Sequence, residues 1–200
     1  MDDLLRIILP IYYIAFFAIA FVWRSYAVWK KTGINPYALK NTDDAYGYIG
    51  FAFRINFVLN LVAVISFSFL PWTYEYLAPI EWLDNYYLKV VGLAVQFVSF
   101  IWLVIAQSQM GKSWRVGIDK ENRTDLVNQG LFTVSRNPIF LGIRVGLVAV
   151  FLTIPNAVTL LALGLGNALV QIQIRLEEEH LEGLHGEKYL KYKQKVRRWV

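Results

Sequence analysis

Two stretches in the second half of the chain hold the residues best suited to chemistry. In the first, Arg136-Asn137-Pro138 stands directly ahead of an apolar block. A guanidinium there can grip a carboxylate through two parallel N–H bonds, and the free N–H groups at the mouth of a helix favour an anion. In the second, Glu177-Glu178-Glu179-His180 follows the next apolar block. Its carboxylates can pair with a cation or accept from a hydroxyl. Asn137 donates and accepts hydrogen bonds but does not titrate near neutral pH. The chain has no cysteine, which excludes a disulfide framework and a thiolate metal site. His180 and His185 lack a Cys or Asp partner at ligand spacing, which argues against a metal centre. Taken alone, the acidic run reads as a solvated helix start and Arg136 as an anchor beside a membrane. Tyr189 and Tyr192 read as packing residues.

The elements that must position these residues are membrane helices. Of 200 residues, 56% are hydrophobic and 18% charged, against about 25% charged in a typical soluble domain. The apolar residues fall in five blocks, 7–23, 48–69, 88–106, 139–154 and 157–174. The first three are long enough to cross a hydrocarbon core of about 30 Å at about 1.5 Å per residue. The last two, parted by the breaker pair Pro155-Asn156, read as a helical hairpin whose arms are tilted or slightly short. Pro10 is expected near the start of the first helix, where a missing N–H is tolerated. Gly142 and Gly146, and the Gly164–Gly166 pair, read as small faces that let helices approach closely.

Charge orients the bundle. Arg24, Lys30, Lys31 and Lys40 follow the first block; Glu75, Glu81 and Asp84 lie between the second and third; Lys112, Arg115, Lys120 and Arg123 follow the third. Arg175, Lys188, Lys191, Lys193, Lys195, Arg197 and Arg198 follow the fifth. The positive-inside rule then implies five spans with the N-terminus outside and the C-terminus inside. The chain opens on Asp2-Asp3 without a basic start or small-residue cleavage site, so the first block reads as a retained helix. The net charge of +5 is assigned to topology and lipid headgroups rather than to nucleic acid. The expected fold is all-α: a multi-span transmembrane bundle of about five spans with a C-terminal helical hairpin. Residues 1–107 are expected to form three core helices around a cavity, and residues 108–200 the region that carries the chemistry, made of a loop, the hairpin 139–174 and a C-terminal helix.

The spacing of the two chemical stretches carries a resemblance. Leu126-Val127, Gly130, Phe132, Arg136-Asn137-Pro138, Phe140 and Gly142 fit the pattern L-V-x-x-G-x-[YF]-x-x-x-R-H-P-x-[YF]-x-G, with Asn137 in place of His. After the hairpin, Glu177-Glu178, Leu181, Gly186, Tyr189, Tyr192 and Val196 fit E-E-x-x-L, then G-x-x-Y-x-x-Y, then V-x-R. Over this last third of the chain and more, the sequence resembles the isoprenylcysteine carboxyl methyltransferase family and the related phospholipid methyltransferases. Two further positions depart from the family: Thr124 stands where His is frequent, and Gln173 stands where animal members place an Arg that contacts substrate.

The resemblance implies an integral membrane methyltransferase that uses S-adenosyl-L-methionine. The cofactor would sit in a cytoplasmic-face pocket, and the acceptor would be a lipophilic small molecule or a lipid-modified group reached from the membrane lipids. It implies Arg136 and Glu178 as catalytic. It implies cofactor contacts from Asp119, Thr124, Asp125, Leu126, Val127, Gly130, Phe132, Asn137, Pro138, Ile139, Phe140 and Glu177. Arg175, Arg144 and Arg54 are the substrate candidates. In that reading Glu177 or Glu178 meets the cationic end of the donor or its ribose. The backbone of 126–130 grips the adenine edge, Phe132 packs against it, and Arg136 holds a carboxylate. Methyl transfer needs alignment and desolvation more than acid–base groups, consistent with the lack of a Ser/His/Asp set. A membrane reductase of the sterol-reductase type using NADPH, and a non-catalytic adaptor that keeps the fold, are the rival readings.

Overall fold

The computed structural model describes residues 1–39, 42–119 and 121–200. Lys40 and Lys120, two of the charges in the alternation above, lie outside the described residues. The described residues form helices and no strand. Helix α1 (Asp2–Phe17) runs through a π-helical stretch, Ala18–Trp23, into α2 (Arg24–Thr32), which Gly33 ends in the left-handed conformation. Helix α3 (Ala45–Phe69) starts where the Asp44 carboxylate accepts from Gly47 N at 2.9 Å. A short α4 (Pro71–Tyr74) leads to α5 (Tyr86–Met110), capped by Asn85 on Leu88 N at 3.0 Å. Then come α6 (Pro138–Thr153), α7 (Ala157–His185) and α8 (Glu187–Lys195).

All five apolar blocks are helical, and among the described residues four helices are long and apolar enough to cross a membrane: α1–α2 together, α3, α5 with its final turn, and α7. The expected fourth span is the exception. Helix α6 has 16 residues, about 24 Å at about 1.5 Å each, short of the hydrocarbon core. It is covered instead by its neighbours. Its Gly142 faces Leu103, Ser99 and Trp102 of α5, each 3.3 Å from where a Cβ would stand. From the other side, a Cβ on Gly92 of α5 would meet Thr153 and the Ala149 carbonyl. Close backbone approach of this kind gains dispersion where lipid supplies no hydrophobic drive.

The hairpin turn is built as Pro155-Asn156 suggests. The Asn156 side chain accepts from Val158 N and Thr159 N at 3.0 and 2.9 Å, and Thr159 Oγ1 accepts from Asn156 N at 3.2 Å. This capping box satisfies buried amides that no water reaches. Ile80 N donates to the Pro155 carbonyl and Ala157 N to that of Ala78, so the turn docks on the loop before α5. Helices α3 and α7 meet through Asn56, whose Nδ2 donates to the Ala162 carbonyl at 2.7 Å, and through Gly166, which abuts Leu147 and Asn56; Gly164 faces open space.

Two expectations need correction. Pro10 lies inside α1 rather than at its start, because the helix begins at Asp2; a bundle tolerates such a proline by local π-type adjustment. The hairpin's second arm does not stop at 174. Helix α7 continues to His185, so Glu177 and Glu178 sit on a polar extension of that arm.

Candidate functional site

A cleft lies at the end of the bundle opposite the hairpin turn. Its walls come from three places: the loop after α5, the first turn of α6, and one face of α7 backed by α8.

The loop is held by local hydrogen bonds rather than by secondary structure. Asp119 Oδ1 accepts from Glu121 N and Asn122 N at 3.0 Å each, and Oδ2 from Asn122 Nδ2 at 2.9 Å and Arg115 Nε at 3.1 Å. Burial alone would raise the Asp119 pKa, but the bonds from Asn122, Arg115 and Glu121 outweigh it and hold the carboxyl below its usual range. Arg115 spends a further N–H on the carbonyls of Lys112 and Trp114, and Arg24 reaches from α2 to the Gly111 carbonyl at 2.7 Å. A single bridge, Tyr37 with Val116, ties this loop to the segment after α2.

The first turn of α6 is pinned from all sides. Trp102 Nε1 of α5 donates to the Pro138 carbonyl at 2.8 Å. Arg136, with a side chain 8% exposed, donates Nε and Nη2 to Glu178 Oε1 at 3.3 and 3.0 Å. Its Nη1 donates to the carbonyls of Lys193 and Val196 at 3.1 and 2.6 Å. The fork that the sequence offers to a carboxylate is therefore holding one of the protein's own. Glu178 also accepts from Arg198 Nε and Nη2 at 3.1 and 2.7 Å and from Asn137 Nδ2 at 3.2 Å. The last contact gives Asn137 a physical rationale. Its amide donates to a carboxylate already facing two guanidiniums, where an imidazolium would add a third positive charge.

Helix α8 closes the back wall. Tyr189 and Tyr192 are buried, and Tyr192 Oη donates to the Phe132 carbonyl at 2.7 Å. Burial pushes the Tyr192 phenol up to about 12 and raises that of Tyr189 as well, so both are neutral donors. Phe132 itself sits in a single 3-10 turn, Gly130–Thr133, seated on α5 through Leu131 N donating to Gln109 Oε1 at 2.7 Å.

Of the expected cofactor residues, Asp119, Thr124, Asp125, Leu126, Val127, Phe132, Asn137, Pro138, Ile139, Phe140 and Glu177 all line the cleft. Gly130 does not. It has φ +61° with the Gln109 side chain beneath it, so its lack of a Cβ serves the turn. Arg136 is on the wall, and Glu178 is behind it, 4% exposed, opening toward a second depression shared with Arg175 and Arg198. None of the three substrate candidates reaches the cleft. Arg175 bonds to Gln171 on its own helix, Arg54 is exposed on α3, and Arg144 stacks 4.3 Å over the Trp199 ring.

Met110, Ser113, Trp114, Arg115, Gly117, Ile118, Gln173, His180, Leu181, Tyr189 and Tyr192 also line the cleft, beyond the cofactor contacts expected from the resemblance. Helical phase would have found some. Gln173, Glu177, His180 and Leu181 are spaced four, seven and eight residues along one face of α7. Trp114 stands in a loop, where no helical phase points to it. The carboxylates of Asp125, exposed at the rim, and of Glu177, half-buried, make no hydrogen bond or ion pair among the described residues, while the Asp125 carbonyl accepts from Ser113 Oγ at 3.0 Å.

Fold and cleft together define a multi-span helical membrane protein whose polar cleft opens at one end of the bundle. A sequence profile for phospholipid methyltransferases matches residues 85–188, just over half of the chain and every residue that lines the cleft except Tyr189 and Tyr192. The chain belongs to the phospholipid methyltransferase family. Its fold is similar to that of a eukaryotic intramembrane Ras methyltransferase, isoprenylcysteine carboxyl methyltransferase, solved without a monobody. That likeness has a TM-score of 0.54 and 16% identity over 92% of this chain. The chain spans 64% of the length of that protein. No curated protein matches the chain.

Proposed function

We propose that the chain is an S-adenosyl-L-methionine-dependent methyltransferase acting on a lipophilic acceptor at the cytoplasmic face of a membrane. The observation that carries this reading is the cleft itself. In a chain of this family, it gathers residues from both motifs around the carboxylates of Asp125 and Glu177, which form no ion pair among the described residues. Unpaired carboxylates beside buried walls suit a ligand with cationic groups.

The donor set fits the cofactor. Glu177 and Asp125 would face its ammonium and sulfonium ends, while Trp114 and Phe132, both buried, offer aromatic surface for its base. Bound there, S-adenosyl-L-methionine supplies a methyl group already activated by positive sulfur. The chain's own share is orientation and exclusion of water. Arg136, Glu178 and Asn137 fix the first turn of α6, and Tyr189 and Tyr192 shut the back wall. Arg136 and Glu178, engaged with each other, act in this reading as positioning groups. The positive-inside arrangement of the flanks supports the cytoplasmic placement. The family match favours methyl transfer over reduction, and no contact in the cleft singles out the reductase reading.

Calorimetric titration of the purified protein in detergent with S-adenosylhomocysteine tests the proposal. Binding in the micromolar range is expected, with Glu177→Gln weakening it about tenfold, or about 1.4 kcal/mol. No heat of binding from folded protein at concentrations well above micromolar would refute it.

A further inference from the structure

The segment that follows α8, residues 196–200, crosses back over the mouth of α6. Three of its backbone carbonyls are spent there. Val196 O accepts from Arg136 Nη1 at 2.6 Å, Arg197 O from Arg136 N at 2.9 Å, and Arg198 O from Ser135 Oγ at 3.1 Å. Asn137 N in turn donates to Ser135 Oγ at 3.1 Å. The segment is fastened by two side chains. Arg198 forks onto both oxygens of Glu178, and Trp199 lies under the Arg144 guanidinium at 4.3 Å. Pairing with Glu178 raises the Arg198 pKa, so its charge persists at any working pH.

The inventory of contacts is lopsided in an informative way. Residues 135–137 supply the cleft with Arg136 and Asn137, yet they lie before the first turn of α6, where amides have no partner within the helix. Ser135 N and Asn137 N are satisfied locally, by the Leu131 carbonyl and by Ser135 Oγ, but Arg136 N and the Ser135 hydroxyl donate to a segment about sixty positions downstream in the chain. Without it, the Arg136 amide and the Ser135 hydroxyl proton, both in a buried setting, would lose their acceptors. The cleft wall is thus shaped by residues that never touch the cleft.

We propose that residues 196–200 form a strap and that Arg198 is a positioning residue for the site. By holding Glu178 it sets the guanidinium of Arg136 and the amide of Asn137 against the cleft, and it keeps the strap's carbonyls over 135–137. Arg144, on this assignment, serves to seat Trp199. For its effect on ligand binding the proposal rests on the donor-binding reading; for its effect on the wall it does not.

The experiment compares hydrogen exchange over 132–141 in the wild type, Arg198→Ala, Arg198→Lys and the exposed control Lys191→Ala, all as full chains in detergent. Titrations with S-adenosylhomocysteine run alongside. Arg198→Ala is expected to speed exchange at the Arg136 amide at least tenfold and weaken binding by a similar factor. Arg198→Lys should be intermediate and Lys191→Ala unchanged. Millimolar ethylguanidinium is expected to restore protection in Arg198→Ala, an effect that a general packing defect would not show. Unchanged exchange in Arg198→Ala, or exchange that ethylguanidinium does not slow, overturns the strap. If Arg198→Ala does not fold, Trp199→Ala and Arg198→Gln decide by the same exchange measurement. If the wild type binds no S-adenosylhomocysteine, the functional reading falls while the exchange result still decides the strap.

Discussion

Replacing Glu178 with alanine removes the single acceptor on which Arg136, Asn137 and Arg198 converge. The Glu178 side chain is 5% exposed and that of Arg136 8%, so water cannot take the carboxylate's place at the latter. Stripping the partner from a buried ion pair costs about 3–5 kcal/mol. Arg136 Nη1 keeps its bonds to the Lys193 and Val196 carbonyls, which favours the lower end of that range. Arg198, one-third exposed, regains water and adds less than about 1 kcal/mol. The expected loss is therefore about 3–4 kcal/mol. At about 2–4 °C per kcal/mol for a chain of this size, the apparent melting temperature in detergent should fall by roughly 6–16 °C. Glu178→Gln keeps one acceptor oxygen without the charge and should lose about half as much. The double variant Glu178→Leu with Arg136→Met should recover part of the loss, since it leaves no buried charge behind. A melting temperature for Glu178→Ala within about 2 °C of wild type would refute the claim that this carboxylate holds the site together.

Three other perturbations follow from the same geometry. Gly130→Ala forces a Cβ onto φ +61° and into the Gln109 side chain; a loss of about 1–2 kcal/mol is expected by thermal unfolding, with faster proteolysis in the loop before α6. Asn156→Ala deletes a fully buried capping box and should cost about 1–2 kcal/mol, read as a lower melting temperature while Asn85→Ala, at an exposed cap, costs less. Asp119 has a folded-state pKa below its usual 3.8, so its bonds contribute stability above that value and lose it as pH falls toward the depressed value. Melting temperature measured between pH 6 and pH 3 should drop more steeply in the wild type than in Asp119→Asn, and parallel curves would count against the Asp119 network.

How much was legible beforehand depended on the range of the interaction. Spans and hairpin are properties of local composition, because a hydrocarbon slab selects long apolar helices wherever they occur. Pro155-Asn156 announced its own turn, since the cap is made within three residues. The shortness of α6 was visible in its length, but its shelter against α5 was not: that depends on Gly92 meeting Thr153, a pair 61 positions apart in the sequence. At the site, residues from Asp119 to Phe140 could be nominated from the family resemblance, and most of them do line the cleft. Their roles could not. Gly130 was indistinguishable from a ligand-contacting glycine until its positive φ over Gln109 was seen.

The chemical pair with which the sequence reading began, Arg136 and Glu178, shows the division most clearly. Residue type and spacing alone determined that a guanidinium and a carboxylate would flank a membrane hairpin and return to the same end of it, because a two-helix excursion brings its flanks together. Only the tertiary structure decided that they would bind each other, with Arg198 as a third partner and Asn137 as a neutral fourth. Charges this buried must find partners at hydrogen-bond distance, and which partner comes within 3 Å is settled by how α6, α7 and the strap after α8 pack.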